Sequence, residues 1–203
     1  MLKKCTILLF CGFLTISIKA QNFGGGVILG LSTSQVGGDD LGGFNKAGLL
    51  IGIFANKSIS ELLSFQMEIN YIQKGSNNPK MNENGTPDIS TSYIEVPLLL
   101  QYHQSNKLKI EGGVQTAYLI DGYYNDLDGE RPKYNDINPF INYDIGLLLG
   151  IDYNYSKNIS LNTRISNSIF PIGAEDYENQ AIYNYAIKGK YNSVLSFALH
   201  YNF

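Results

Sequence analysis

Cysteine is absent from residues 21–203; the chain's two, Cys5 and Cys11, lie near its start. Disulfides therefore cannot hold the fold, which excludes the small, cross-linked class of secreted domains. Tryptophan is missing altogether, so any aromatic contact with a membrane interface falls to the 15 Tyr and 10 Phe. Beyond the first twenty residues no apolar run reaches the about 18–20 residues that a spanning helix needs. If such a chain crosses a membrane, it must do so as a closed sheet. Basic charge is scarce as well: 15 Lys and Arg stand against 18 Asp and Glu, a net charge of −3. That balance argues against nucleic acid or another polyanion as partner.

The first twenty residues read differently. Lys3 and Lys4 precede an apolar stretch from Ile7 to Ile18, and Ile18-Lys19-Ala20 stands before Gln21. This pattern predicts a secretory signal peptide over residues 1–20 and a single domain over 21–203. Cleavage there removes Lys3, Lys4 and Lys19 but no acid, so the net charge of −3 becomes −6. Cys11 follows the bulky pair Leu9-Phe10, which argues against a lipid-attachment site.

Alternating runs of roughly ten residues, bounded by Gly, Asn, Asp, Ser or Pro, recur along the rest of the chain. They predict eight strands, near residues 23–32, 46–56, 62–74, 92–103, 107–121, 139–154, 158–169 and 191–203. The connections alternate between long polar ones (33–45, 75–91, 122–138, 170–190) and tight ones (56–61, 104–106, 155–157). Strict alternation of this kind fits an all-β fold: an eight-stranded antiparallel up-and-down transmembrane β-barrel with short periplasmic turns and longer extracellular loops. A Greek-key sandwich has no reason to keep it.

Each strand carries one apolar and one polar row. The last reads Leu195, Phe197, Leu199, Tyr201 and Phe203 against Val194, Ser196, Ala198, His200 and Asn202. Lipid-facing rows elsewhere include Phe65, Met67, Ile69 and Tyr71, then Ile94, Leu98, Leu100 and Tyr102, with Tyr near the row ends as an interfacial belt requires. The polar rows hold Gln66, Glu68, Asn70, Glu95, Gln101, Lys109, Glu111, Gln115, Asn142, Asp144, Asp152, Asn162 and Arg164. So many charges would wreck a dry core but suit a polar interior. The inverse arrangement, a soluble barrel with the polar rows outside, fits the signal peptide and the C-terminal row less well.

Within the interior, Glu68, Glu95, Asp144 and Arg164 form the candidate cluster, expected near mid-height or somewhat above. One Arg among carboxylates serves either as a plug of charge-assisted hydrogen bonds or as a proton or cation site. An eight-stranded barrel is only wide enough for its own side chains, and that favours the plug. His103 and His200 fall at periplasmic strand ends, His200 facing the interior and His103 the interface, and no Ser, His and Asp grouping assembles, so no catalytic residue is assigned. Asp126, Asp128 and Gly129 imitate part of a calcium loop, but Tyr124 and Asn135 occupy ligand positions, so an acidic turn is expected and no metal or cofactor. Gly24, Gly25 and Gly26 begin a strand rather than a helix, and read as small inward residues, not a phosphate loop. The outer loops, with Tyr123, Tyr124, Tyr134, Tyr177, Tyr183 and Tyr185 among Asn, Asp and Gly, form an adaptable contact surface.

Several strings resemble the outer-membrane β-barrel family that includes PorT-like proteins: Met67-Glu68-Ile69-Asn70-Tyr71-Ile72-Gln73-Lys74-Gly75, Tyr93-Ile94-Glu95-Val96-Pro97-Leu98-Leu99-Leu100, Asn142-Tyr143-Asp144-Ile145-Gly146-Leu147, and the segment from Tyr191 to Phe203. The chain departs from that pattern at Met67-Glu68, where the family often has Pro, and at Asn162-Thr163-Arg164-Ile165-Ser166. The resemblance implies an outer-membrane location and, for some relatives, a part in protein secretion. Leu199, Tyr201 and Phe203 resemble the C-terminal signal read by the barrel-assembly machinery during insertion. The partners so implied are outer-membrane lipid, that machinery, and an extracellular ligand or secretion-system component.

Overall fold

A computed structural model describes residues 23–39, 41–130, 139–173 and 190–203. The expected signal peptide, Tyr134, Asn135, Tyr177, Tyr183 and Tyr185 lie outside these residues. The strands are β1 (Phe23–Gly37), β2 (Lys46–Ser58), β3 (Leu63–Ser76), β4 (Asp88–His103), β5 (Leu108–Asp126), a two-residue β6 (Gly129–Glu130), β7 (Tyr143–Asn154), β8 (Ile159–Ser168) and β9 (Tyr191–Asn202). A one-turn helix, α1 (Met81–Asn84), interrupts the connection between β3 and β4. Among the described residues, no helix is long and apolar enough to cross a membrane.

All neighbouring strands pair antiparallel, β1 also pairs with β9, and the ring β1-β2-β3-β4-β5-β7-β8-β9 closes on itself. The stub β6 folds back on the end of β5 outside this ring. Closure leaves no edge strand, the condition for a sheet in hydrocarbon. Tight turns join β2 to β3, β4 to β5 and β7 to β8, all at the end where β9 finishes.

The strand rows divide as a lipid-exposed barrel demands. Leu149 is 65% exposed and Phe197 53%, whereas Glu68, Gln66 and Glu111 are each 1% exposed. On β7 the outward row runs from Tyr143 to Tyr153; ten residue steps of about 3.3 Å, tilted by roughly 40°, give an apolar band about 25 Å tall. Tyr102, Tyr153, Tyr201 and Phe203 border it on the periplasmic side, with the Tyr201 and Phe203 rings 6.1 Å apart, edge to face.

Strands β1, β4 and β5 run farther outward than hydrophobic alternation indicated, because hydrogen-bonded pairing continues where the outward face has turned polar. On β5 a bulge places Ile120 opposite the step from Ser92 to Tyr93 and exchanges the faces beyond it, so that Gly122 and Tyr124 point inward. Strand β7 starts later than expected. Asn142 precedes it and is exposed rather than interior, while Phe140 bridges to Gly173.

Candidate functional site

The bore is occupied by two separate charged layers. Glu68, Glu95, Asp144 and Arg164 all point inward and are buried, but they do not form one cluster. The alternating rows place Glu68 and Arg164 nearer the periplasmic end, while Glu95 and Asp144 sit nearer the outer mouth.

In the inner layer Arg164 reaches from β8 across the bore to β3, which stands directly opposite in the ring. Its Nη1 and Nη2 donate to Glu68 Oε2 and Oε1 at 2.7 and 2.6 Å, a two-pronged pairing. Its Nε donates to Glu111 of β5. The remaining carboxylate lone pairs are filled by amides: Gln66 and Asn70 donate to Glu68 at 2.6 and 2.8 Å, and Asn162 and Gln101 to Glu111 at 2.9 and 3.0 Å. Such saturation is what makes buried charge tolerable. Toward the periplasm the network continues from Gln101 to the Ser64 hydroxyl, which lies 2.8 Å from His103 Nε2. His103 thus turns into the mouth instead of the lipid interface. Beside this layer Lys109 pairs with Asp152 at 3.1 Å, and His200 stacks against Phe54 with ring centres 5.4 Å apart.

The outer layer is built around Lys74. Its Nζ lies 2.6 Å from Glu95 and 3.5 Å from Asp144, with the Tyr93 ring 5.1 Å away. Asn192 of β9 donates to Asp144 at 2.9 Å. Lys74 and Glu111 are the partners that a reading of rows did not join to the cluster. Both lie on inward rows, but only closure shows which residues face each other across the bore.

Leu50, Ile72, Leu148 and Val194 separate the layers around an internal void of about 20 Å³, room for about one water. Above the outer layer, Ile89, Tyr124, Phe140 and Ile172 are buried together, with the Tyr124 and Phe140 rings 5.4 Å apart. The small inward residue near the start of β1 is Gly26, where a Cβ would overlap the Phe54 ring and the Tyr201 carbonyl. In the turn after β5, Asp126 accepts a hydrogen bond from the Asp128 amide at 2.9 Å. Among the described residues, no group of His, Asp and Glu is arranged to hold a metal ion.

Residues 19–173 match the family described as outer membrane protein beta-barrel domain. The chain belongs to that family. No curated protein matches the sequence. The attachment invasion locus protein Ail of Yersinia pestis superposes with a TM-score of 0.52 at 11% identity, covering 89% of this chain and 98% of Ail. Neisserial surface protein A superposes with a TM-score of 0.53 at 16% identity, covering 89% of this chain and 97% of the other. At such identities the likeness shows the fold. This outer membrane barrel is therefore a closed eight-stranded one, located in the outer membrane, and its inward charges fill a bore that family membership alone does not describe.

Proposed function

We propose that the protein is a non-catalytic outer-membrane barrel with a permanently closed bore, acting as a structural or ligand- and partner-binding element through its extracellular loops. The carrying observation is the double seal: Arg164 spans the bore between Glu68 and Glu111, and Lys74 bridges Glu95 and Asp144. A filled interior leaves the outer connections as the variable surface available for contacts. Each of the four, at 33–45, 75–91, 122–138 and 170–190, carries more Asp and Glu than Lys and Arg. Ail has been crystallised with a heparin analogue, sucrose octasulfate; the acidic loops here favour a neutral or cationic partner instead.

The finer placement, among PorT-like barrels with a role beside a secretion machine, rests on residues 67–75 and 93–100. These two segments supply Glu68, Lys74, Tyr93 and Glu95 to the interior. In that role the polar periplasmic mouth at Ser64, Gln101 and His103 is the surface a translocation component would meet.

The test is electrical. The refolded protein in planar bilayers should produce no discrete conductance steps, and regular ion-sized openings would overturn the closed-bore reading.

A further inference from the structure

Between β2 and β3 the barrel wall is broken on its lipid side. The ladder between β2 and β3 ends at Leu50 and Ile72, yet β2 stays paired to β1 as far as Lys46, and β3 to β4 as far as Ser76. Above the break β3 passes behind β2. The Ser32 hydroxyl of β1 donates to the Gln73 carbonyl at 2.7 Å, and Ser34 exchanges hydrogen bonds with Gly75, donating to its carbonyl at 3.0 Å and accepting from its amide at 2.9 Å. Gly48 permits this crossing, since a Cβ there would overlap the Gln73 carbonyl and the Ser32 hydroxyl. Gly75, at φ +143°, has Ile89 backbone where a side chain would stand.

The gap between β2 and β4 is left as a concavity of about 400 Å³ in the outer wall, within the size range of small-molecule sites. Its lining includes Lys46, Tyr71, Gln73, Ser92, Asp121 and Tyr123. Most of these are held in place: Lys46 Nζ donates to Ser90 at 2.7 Å, Gln73 accepts from the Leu49 amide at 3.2 Å and donates to the Tyr71 hydroxyl at 3.2 Å, and Tyr71 donates to Ser92 at 3.2 Å.

Height and chemistry together point to an occupant. Tyr71 and Ile94 end the apolar rows of β3 and β4, and the next outward residues, Gln73 and Ser92, lie about 5 Å farther along the membrane normal. That is the zone of roughly 5–8 Å that polar headgroups fill on each side of the hydrocarbon. Lys46 and Asp121 offset each other, and Lys74, which also lines the notch, has its ammonium buried against Glu95 and Asp144, so an isolated phosphate gains little there. Two tyrosine rings, an amide, hydroxyls and a carboxylate suit a ring that offers hydroxyls at its edge and C–H groups on its face. Directly beneath, Ile51, Ile69 and Ile94 are exposed on the lipid side, where acyl chains would run.

We propose that this notch seats the sugar headgroup of an outer-leaflet glycolipid, with its acyl chains against the isoleucine wall. The site opens on the lipid side of the wall, with Lys74 at its back and Tyr123 at its outer rim, and stands whether or not the loops bind a partner.

Native mass spectrometry of the folded barrel, titrated with deep-rough lipopolysaccharide, with phosphatidylethanolamine and with the delipidated core oligosaccharide, tests it. Lipopolysaccharide should be retained about tenfold more tightly than the phospholipid, and the oligosaccharide alone should bind weakly. Ser92→Trp, which fills the notch, and Asp121→Ala should each remove most of that preference. Asn167→Leu, at the first polar outward position beyond the apolar row on β8, on the opposite wall, should keep it. Heat-modifiable gel mobility shows that each variant is folded. Equal retention by Ser92→Trp, Asp121→Ala and the parent, no preference over phospholipid, or oligosaccharide binding as tight as lipopolysaccharide would each overturn the proposal.

Discussion

Replacing Arg164 with alanine removes the guanidinium that joins Glu68 to Glu111 across the bore. Two hydrogen bonds to Glu68 and one to Glu111 disappear, and both carboxylates stay buried. Breaking a buried ion pair by deleting one member costs about 3–5 kcal/mol, because the orphaned charge has lost its counterion while remaining out of water. The amides of Gln66, Asn70, Asn162 and Gln101 remain as donors, which places the expected loss toward the lower end. At about 3 kcal/mol and about 2–4 °C per kcal/mol for a chain of this length, the melting temperature should fall by roughly 6–12 °C. The measurement is far-UV circular dichroism of the refolded barrel in detergent, alongside the temperature at which the compact gel band of unboiled samples is lost. A companion variant, Arg164→Met with Glu68→Gln and Glu111→Gln, removes the stranded charges and should recover most of the loss, since a neutral, filled site substitutes for a buried triad at little cost. Parental melting by Arg164→Ala would refute the idea that this layer braces the bore.

Gly48→Val should lower the melting temperature as well, by the equivalent of about 1–3 kcal/mol, because the added methyl groups force β3 away from Ser32; melting identical to the parent would show that the crossing of β3 behind β2 is not required. Phe203→Ser should reduce the amount of barrel reaching the outer membrane in cells while leaving the melting of refolded protein nearly unchanged, as Phe203 is 84% exposed and packs against little besides Tyr201. Normal outer-membrane levels in quantitative immunoblots would count against an insertion signal at Leu199, Tyr201 and Phe203.

Period-two alternation marked the eight ring strands, the alternation of long and tight connections their antiparallel order, and the signal-like start with the C-terminal row which face of each meets lipid. Side chains on a strand must take opposite faces, and hydrocarbon tolerates apolar ones only, so Leu195, Phe197, Leu199 and Tyr201 had one place to go. Alternation also put Glu68, Glu95, Asp144 and Arg164 inside. It could not decide which of them meet, because partners across a closed bore depend on strand tilt and stagger, quantities that no single strand encodes. Closure set Arg164 between Glu68 and Glu111, set Lys74 between Glu95 and Asp144, and so divided one expected cluster into two layers. The bulge at Ile120 and the crossing of β3 behind β2 likewise arise from pairing between strands. Both lie beyond the apolar band, where hydrocarbon no longer dictates which face a residue must take and tertiary hydrogen bonds determine the path of the chain.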